Sequence, residues 1–455
     1  VAGDDVIINS NQSAAITAVP SISLANLTIS GNCNLVPSAS GNTITITASF
    51  SVSTGITASL GTNGAARLNL TLGSASVSTV NGTLNVFSTG TNGVLTVNGD
   101  LTIGSAGVIA DGGGANNTDL SVSSTGILRI GSVQGISTTA GTGNIRLTGT
   151  RSYAAGSEIV YNGTAAQVTG NGIPTASDIT INNTNGVALS AAYTGTGTLT
   201  MTAGTLDMAN NNLSVGALTG SSNITNASGA AGNRTLSVTG NTSPAAYSGI
   251  ISNGTATSVS LTKSGNGTLN LTGINTYTGV TTINAGVLAV PSIENGGVAG
   301  NMGAASGAAG NIVLGGGTLR YTGFTASTNR NFTLTAGTTS TIEIAQAAET
   351  LTISGASTAT TGALTKSGAG TLVLSGANLY TGTTTVTAGT LQHGVNNALA
   401  TGAVTVNGGT WDIGTFTDAV GAVTLTSGTI SGTTGIITGT SYTVSSGDIS
   451  AILAG

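Results

Sequence analysis

Residues 261–290 read LTKSGNGTLNLTGINTYTGVTTINAGVLAV, and residues 364–393 read LTKSGAGTLVLSGANLYTGTTTVTAGTLQH. At this offset of 103, 19 of 30 positions are identical, including the glycines, the alternating leucines and the run Asn-x-Tyr-Thr-Gly. A shorter theme recurs inside each copy: glycine, then threonine or valine, then two aliphatic residues separated by one position. It stands as GTLNL at Gly267, GVLAV at Gly286, GTLVL at Gly370, GTLQH at Gly389, GTWDI at Gly409 and, more loosely, GTISG at Gly428. From Gly370 through Gly389 and Gly409 to Gly428 the spacing is nearly constant, and a period of about 20 residues marks a solenoid. Strand alternation sends Leu372 and Leu374 to one face and Val373 to the other, and glycine allows the bend that follows. One such rung cannot bury its apolar face alone, whereas stacked rungs hydrogen-bond edge to edge and share one interior.

The reading is therefore an all-β parallel solenoid of about 20 residues per rung and about 23 rungs, with Leu269, Leu271, Leu372, Leu374 and Leu391 inside. The first half follows the same grammar less regularly, as in GTLNV at Gly82, GVLTV at Gly93, GVIAD at Gly107, GILRI at Gly126 and GNIRL at Gly143. This divides the chain into a less regular solenoid over 1–185 and a second over 186–455 that holds the long repeats.

Composition supports this and removes other classes. Charged residues make up 5% of 455 positions and glycine supplies 72, so charged helix formers are nearly absent while β-branched and turn residues dominate. Little helix is expected. A net charge of −5, spread thinly, with 3% aromatic residues, offers neither the basic stripe nor the stacking platform of a nucleic-acid partner. No apolar run approaches the roughly 18 residues that cross a bilayer. The start at Val1 reads as a mature end left after signal removal, which points to export. Cys33 is alone, which excludes an intrachain disulfide framework, and counting by twos from Leu27 and Ile29 puts it inward as a buried thiol.

The segments around Lys263 and Lys366, with GxGTLxLxGxNxYTGxTTxxAGxL, resemble the passenger-associated repeat of autotransporters and related adhesin-like surface proteins. The likeness covers the two copies closely and about 190–455 more loosely; the first half is similar to secreted β-helical surface proteins in general. It implies a right-handed parallel β-helix, exported to the surface of a Gram-negative cell. The family's C-terminal membrane β-barrel has no counterpart in the final SYTVSSGDISAILAG.

No constellation reads as an active site, and no catalytic, cofactor-binding or metal-binding residue is assigned. His393, the single histidine, has Gln392 and Gly394 beside it and reads as a solvated corner residue. Carbohydrate-active β-helices place carboxylates on adjacent rungs, yet among the outward positions Asn85, Thr96, Arg129, Asp207, Asn270, Arg320, Val373, Gln392 and Asp412 no two acids neighbour each other. The loop ADGGGANNTD, with Asp111 and Asp119, lacks the spacing of a calcium loop and reads as surface. Lys263 and Lys366, the only lysines, read as solvated corners that discourage sideways strand pairing.

The expected function is an extracellular structural protein, the subunit or shaft of a surface filament. Strand-like, uncapped ends at Val1 to Ser10 and Ser441 to Gly455 would stack copies head to tail. The alternative is an adhesin passenger that binds glycans or host proteins, and the third reading is a carbohydrate-active enzyme.

Overall fold

The computed structural model of the chain describes residues 3–62, 66–87, 92–112, 117–137, 141–227 and 232–455. Val1 and Ala2 of the strand-like start expected over Val1 to Ser10 lie outside these residues. So do 113–116 of the loop between Asp111 and Asp119. Among the described residues there is no α-helix, and the single 3₁₀ turn is Ala309–Asn311. Everything else regular is strand, and nearly every strand pairing is parallel, as an edge-to-edge coil requires.

The chain forms a β-solenoid of about 19 turns with roughly 23 residues per turn, fewer and longer than the repeat motif implies. The shorter period holds where the motif is regular. Leu372 faces Leu391, which faces Trp411, which faces Ile430. Elsewhere the corners carry more chain: Leu95 faces Leu120, and Leu288 faces Leu319, both steps well beyond the short period. Strand length is set by the core, but corner length is free, so the period lengthens wherever a loop leaves the coil.

Two compact units divide at Asn211 and Asn212. In the first, alternation produces columns of inward side chains. Ile29, Val52, Val80, Ile103, Ile130, Tyr161, Ile181 and Met201 follow one another in register through successive turns, all buried. A second column runs through Ile44, Leu70, Leu95 and Leu120. Burying each such aliphatic side chain contributes about 1.5–3 kcal/mol, and this interior holds the coil together. Cys33 is buried, as parity placed it, and burial raises its thiol pKa.

In the second unit Leu269, Leu288, Leu319 and Ile342 form one column, and Leu351, Leu372, Leu391, Trp411 and Ile430 another. Leu269, Leu271, Leu372, Leu374 and Leu391 are all buried, as read from the repeat. Close stacking explains the glycines. A Cβ on Gly273 would sit 2.1 Å from the carbonyl oxygen of Gly249 on the preceding turn, and one on Gly376 would sit 2.5 Å from that of Gly355.

Candidate functional site

The conspicuous departure from a plain coil lies in the first unit. Leu120 faces Arg151, a longer step than that from Leu95 to Leu120, because the chain leaves the coil after Ile127–Ile130 and returns at Ile145–Arg146, which pairs with Ile109 and Ala110. Polar side chains hold this excursion. Asn144 accepts from Ser132 N at 2.7 Å and donates to the carbonyls of Gly107 and Gly104 at 2.6 and 2.9 Å. Asp111 and Asp119, read as surface loop residues, pin the returning segment. Asp111 accepts from Thr148 N at 2.7 Å and from Thr118 N at 2.9 Å, and Asp119 accepts from Thr150 N at 2.7 Å. Both carboxylates are thus engaged by the backbone. Among the described residues no three His, Cys, Asp or Glu side chains gather where they could hold a metal ion.

Between the returning segment and the corner of the next turn opens a cleft of about 530 Å³. One wall carries Thr148, Arg151 and Tyr153, and the other carries Asn171, Pro174 and Thr175. Arg151 donates to the carbonyl oxygens of Ser137, of Leu147 at 2.8 Å and of Ile145 at 3.3 Å. Tyr153 lies beside it with a buried hydroxyl that has no hydrogen-bond partner, and burial pushes its pKa up to about 12. Tyr193 donates to Pro174 O at 2.9 Å and fixes the far wall. Nothing in the sequence motif marked this place; the length of the turn was the available signal.

Acidic residues do meet across adjacent turns, outside the outward row read from the sequence. Glu158 stands directly opposite Asp178. The outward row follows the glycine-led motif, and neither residue belongs to a copy of it. Thr180 donates its hydroxyl to Glu158 at 2.6 Å, and Thr198 N donates to Asp178 at 2.6 Å, so each carboxylate accepts a bond from a neighbouring turn. One turn back, Arg129 forms a two-point ion pair with Asp100 at 2.6–2.9 Å.

In the second unit the polar residues of the repeat are inside. Lys263 and Lys366 are buried, not solvated corners. Lys263 lies in register between Val238 and Ile283, and Lys366 between Ile342 and Val386. The four-carbon stem fills a core position, and the ammonium reaches carbonyls that the glycine turn aims inward. Lys366 donates to Ser367 O at 2.8 Å, Gly368 O at 2.9 Å and Ala388 O of the next turn at 3.0 Å, which uses its three protons. Lys263 does the same with Gly265 O and, at 3.5 Å, Ala285 O. Burial lowers both pKa values, that of Lys366 to about 8.

The remaining repeat positions work alike. Asn378 accepts from Ser357 N of the preceding turn at 2.8 Å and donates to Ala398 O of the next at 2.9 Å; Asn275 bridges Ile251 N and Asn301 O at 2.8 and 2.7 Å. Tyr277 and Tyr380 are buried, their hydroxyls 2.8 Å from those of Thr281 and Thr384.

His393 is also inside rather than at a solvated corner. Two residues after Leu391, it shares that leucine's face. Trp411 donates its indole N–H to His393 Nε2 at 2.8 Å, which assigns the imidazole proton to Nδ1. Nδ1 lies 3.4 Å from the buried Asp418 carboxylate, which also accepts from Leu399 N at 3.0 Å. Burial lowers the His393 pKa to about 4 and raises that of Asp418 to about 6. The three side chains fill the interior next to a corner and offer no opening to a substrate.

Residues 261–290 and 364–392 match the passenger-associated-transport-repeat family. The chain is 45% identical over 156 residues to the adhesin BmaC autotransporter of Brucella suis biovar 1, a stretch covering 34% of this chain and 4% of that protein. The chain thus spans only a small part of the length of the curated relative it matches. No solved structure matches the chain. The chain carries two passenger-associated-transport-repeats, each fastened to the adjoining turns from within by a buried lysine and asparagine.

Proposed function

We propose that the chain is part of a surface-displayed, adhesin-like passenger of a Gram-negative bacterium, non-catalytic, in which the solenoid is the scaffold and the departures from it are the contact surfaces. The observation that carries this is the joint presence of two transport repeats and a 156-residue likeness to an autotransporter adhesin. The fold suits the role. Solenoid stability is a sum of neighbouring interfaces, and it leaves long outward faces and corner loops free for recognition. The alternative, a shaft polymerising head to tail, draws on composition and strand-like ends alone; the adhesive reading has the relative's character in its favour as well, so it is the one adopted.

The test is display. The chain, fused to a membrane translocation barrel, is expressed on a non-adherent Gram-negative strain, and exposure is verified by protease shaving of intact cells. Displaying cells attach to epithelial monolayers several times better than cells displaying the barrel alone. Equal attachment of the two strains, with the chain verified at the surface, overturns the reading.

A further inference from the structure

We propose that the cleft between residues 147–153 and 171–175 binds a carboxylated sugar, a sialic or uronic acid; this rests on the adhesive reading and names its ligand class. Arg151 supplies the charge. A guanidinium has five N–H donors, and the carbonyls of Ser137, Ile145 and Leu147 engage it without neutralising it. No carboxylate among the described residues lies within ion-pair distance of Arg151. The guanidinium keeps its charge beside an open cleft, and its Nε–H, which none of these bonds uses, is left for one oxygen of a carboxylate.

The rest of the lining suits a pyranose ring. Tyr153, Ile173 and Pro174 give apolar surface for the C–H face of a sugar, while Asn171 and Thr175 stand exposed on the rim beside its hydroxyls. The buried Tyr153 hydroxyl is an unexplained polar group next to Arg151. That hydroxyl is closed to solvent, so Tyr153 offers the cleft its ring rather than its hydroxyl. A volume of about 530 Å³ admits a mono- or disaccharide. Both walls are held in advance, one by Asp111 and Asp119 and the other by Tyr193, which reduces the ordering cost of binding.

The experiment titrates the whole chain with N-acetylneuraminic acid, galacturonic acid and neutral galactose by ligand-observed NMR at low and high salt. At least one acidic sugar binds about tenfold more tightly than galactose, and added salt narrows the gap. Arg151→Lys, which keeps the charge but loses the carbonyl bonds that aim the side chain and the Nε–H, weakens that binding about tenfold. Thr175→Trp, at the exposed rim, abolishes it with no change in melting temperature. The proposal is overturned if neither acid binds better than galactose, or if Thr175→Trp binds as the parent does. Displaying cells that attach equally with and without Thr175→Trp refute the cleft while leaving adhesion standing; a chain that binds the acid in solution yet fails to attach refutes adhesion alone.

Discussion

The buried pair His393 and Asp418 gives a prediction whose sign and size follow from geometry. Burial is the first cause of both shifts, so each persists when the other residue is replaced. His393 falls from 6.5 to about 4, so the unfolded chain takes up a proton before the folded one as pH drops through this window. Stability is lost in step, by about 3 kcal/mol in total at about 1.4 kcal/mol per unit. Asp418 rises from 3.8 to about 6, so here the folded chain takes up the proton first. Stability is gained as pH falls through that window, again by about 3 kcal/mol. Between pH 4 and 6 both states hold one proton on the pair: the unfolded chain on His393, the folded chain on Asp418. The two contributions cancel. Trp411, the only tryptophan and a direct partner of His393, reports unfolding of this region by its fluorescence. Denaturant titrations from pH 4 to 6.5 compare the parent chain with Asp418→Asn and His393→Gln, and carboxylates common to all three drop out of the differences. Relative to the parent, Asp418→Asn loses about 3 kcal/mol as pH falls across the range, and His393→Gln gains about as much. Parallel profiles for all three proteins would refute the argument.

Four other outcomes follow from the same structure. Lys366→Met leaves three carbonyls without a donor, at about 1–3 kcal/mol for each buried acceptor, so the second unit loses several kcal/mol in chemical denaturation. In the parent chain, stability rises as pH climbs from about 8 towards 10, because the folded ammonium releases its proton before the unfolded one and the unfolded state then holds more protons; a pH series from 7.5 to 10 shows this rise in the parent and not in Lys366→Met. Asn378→Leu removes the bond across turns to Ser357 and Ala398 and costs about 2–4 kcal/mol by the same assay. Gly204→Ala places a Cβ 1.7 Å from the carbonyl oxygen of Asn183 at a residue with φ of 77°, and lowers the melting temperature of the first unit measurably by circular dichroism.

The coil itself was readable because its core obeys a period-2 rule. Leu269, Leu271, Leu372, Leu374 and Leu391 could be placed from the motif alone, and its short step survives from Leu372 to Ile430. Lys263 and His393 were misplaced by one assumption, that a titratable side chain belongs in water. Parity pointed the other way, since Lys263 lies two residues after Leu261 and His393 two after Leu391. What overrode hydration is local: the glycine turn directs carbonyls inward and creates acceptors for an ammonium, and Trp411 does the converse for the imidazole. The pairing of Glu158 with Asp178 was not readable. It depends on register after an unusually long turn, and an irregular corner erases the phase that a repeat would carry. The cleft was hidden for the same reason, as it is made by that corner.

Adhesion is the claim on which the functional account stands, and purified chain on beads tests it without any export machinery. Beads coated with the 455-residue chain bind epithelial monolayers in proportion to coating density, and soluble chain competes them off. Beads that bind no better than those coated with an unrelated β-solenoid, with or without competitor, contradict the account.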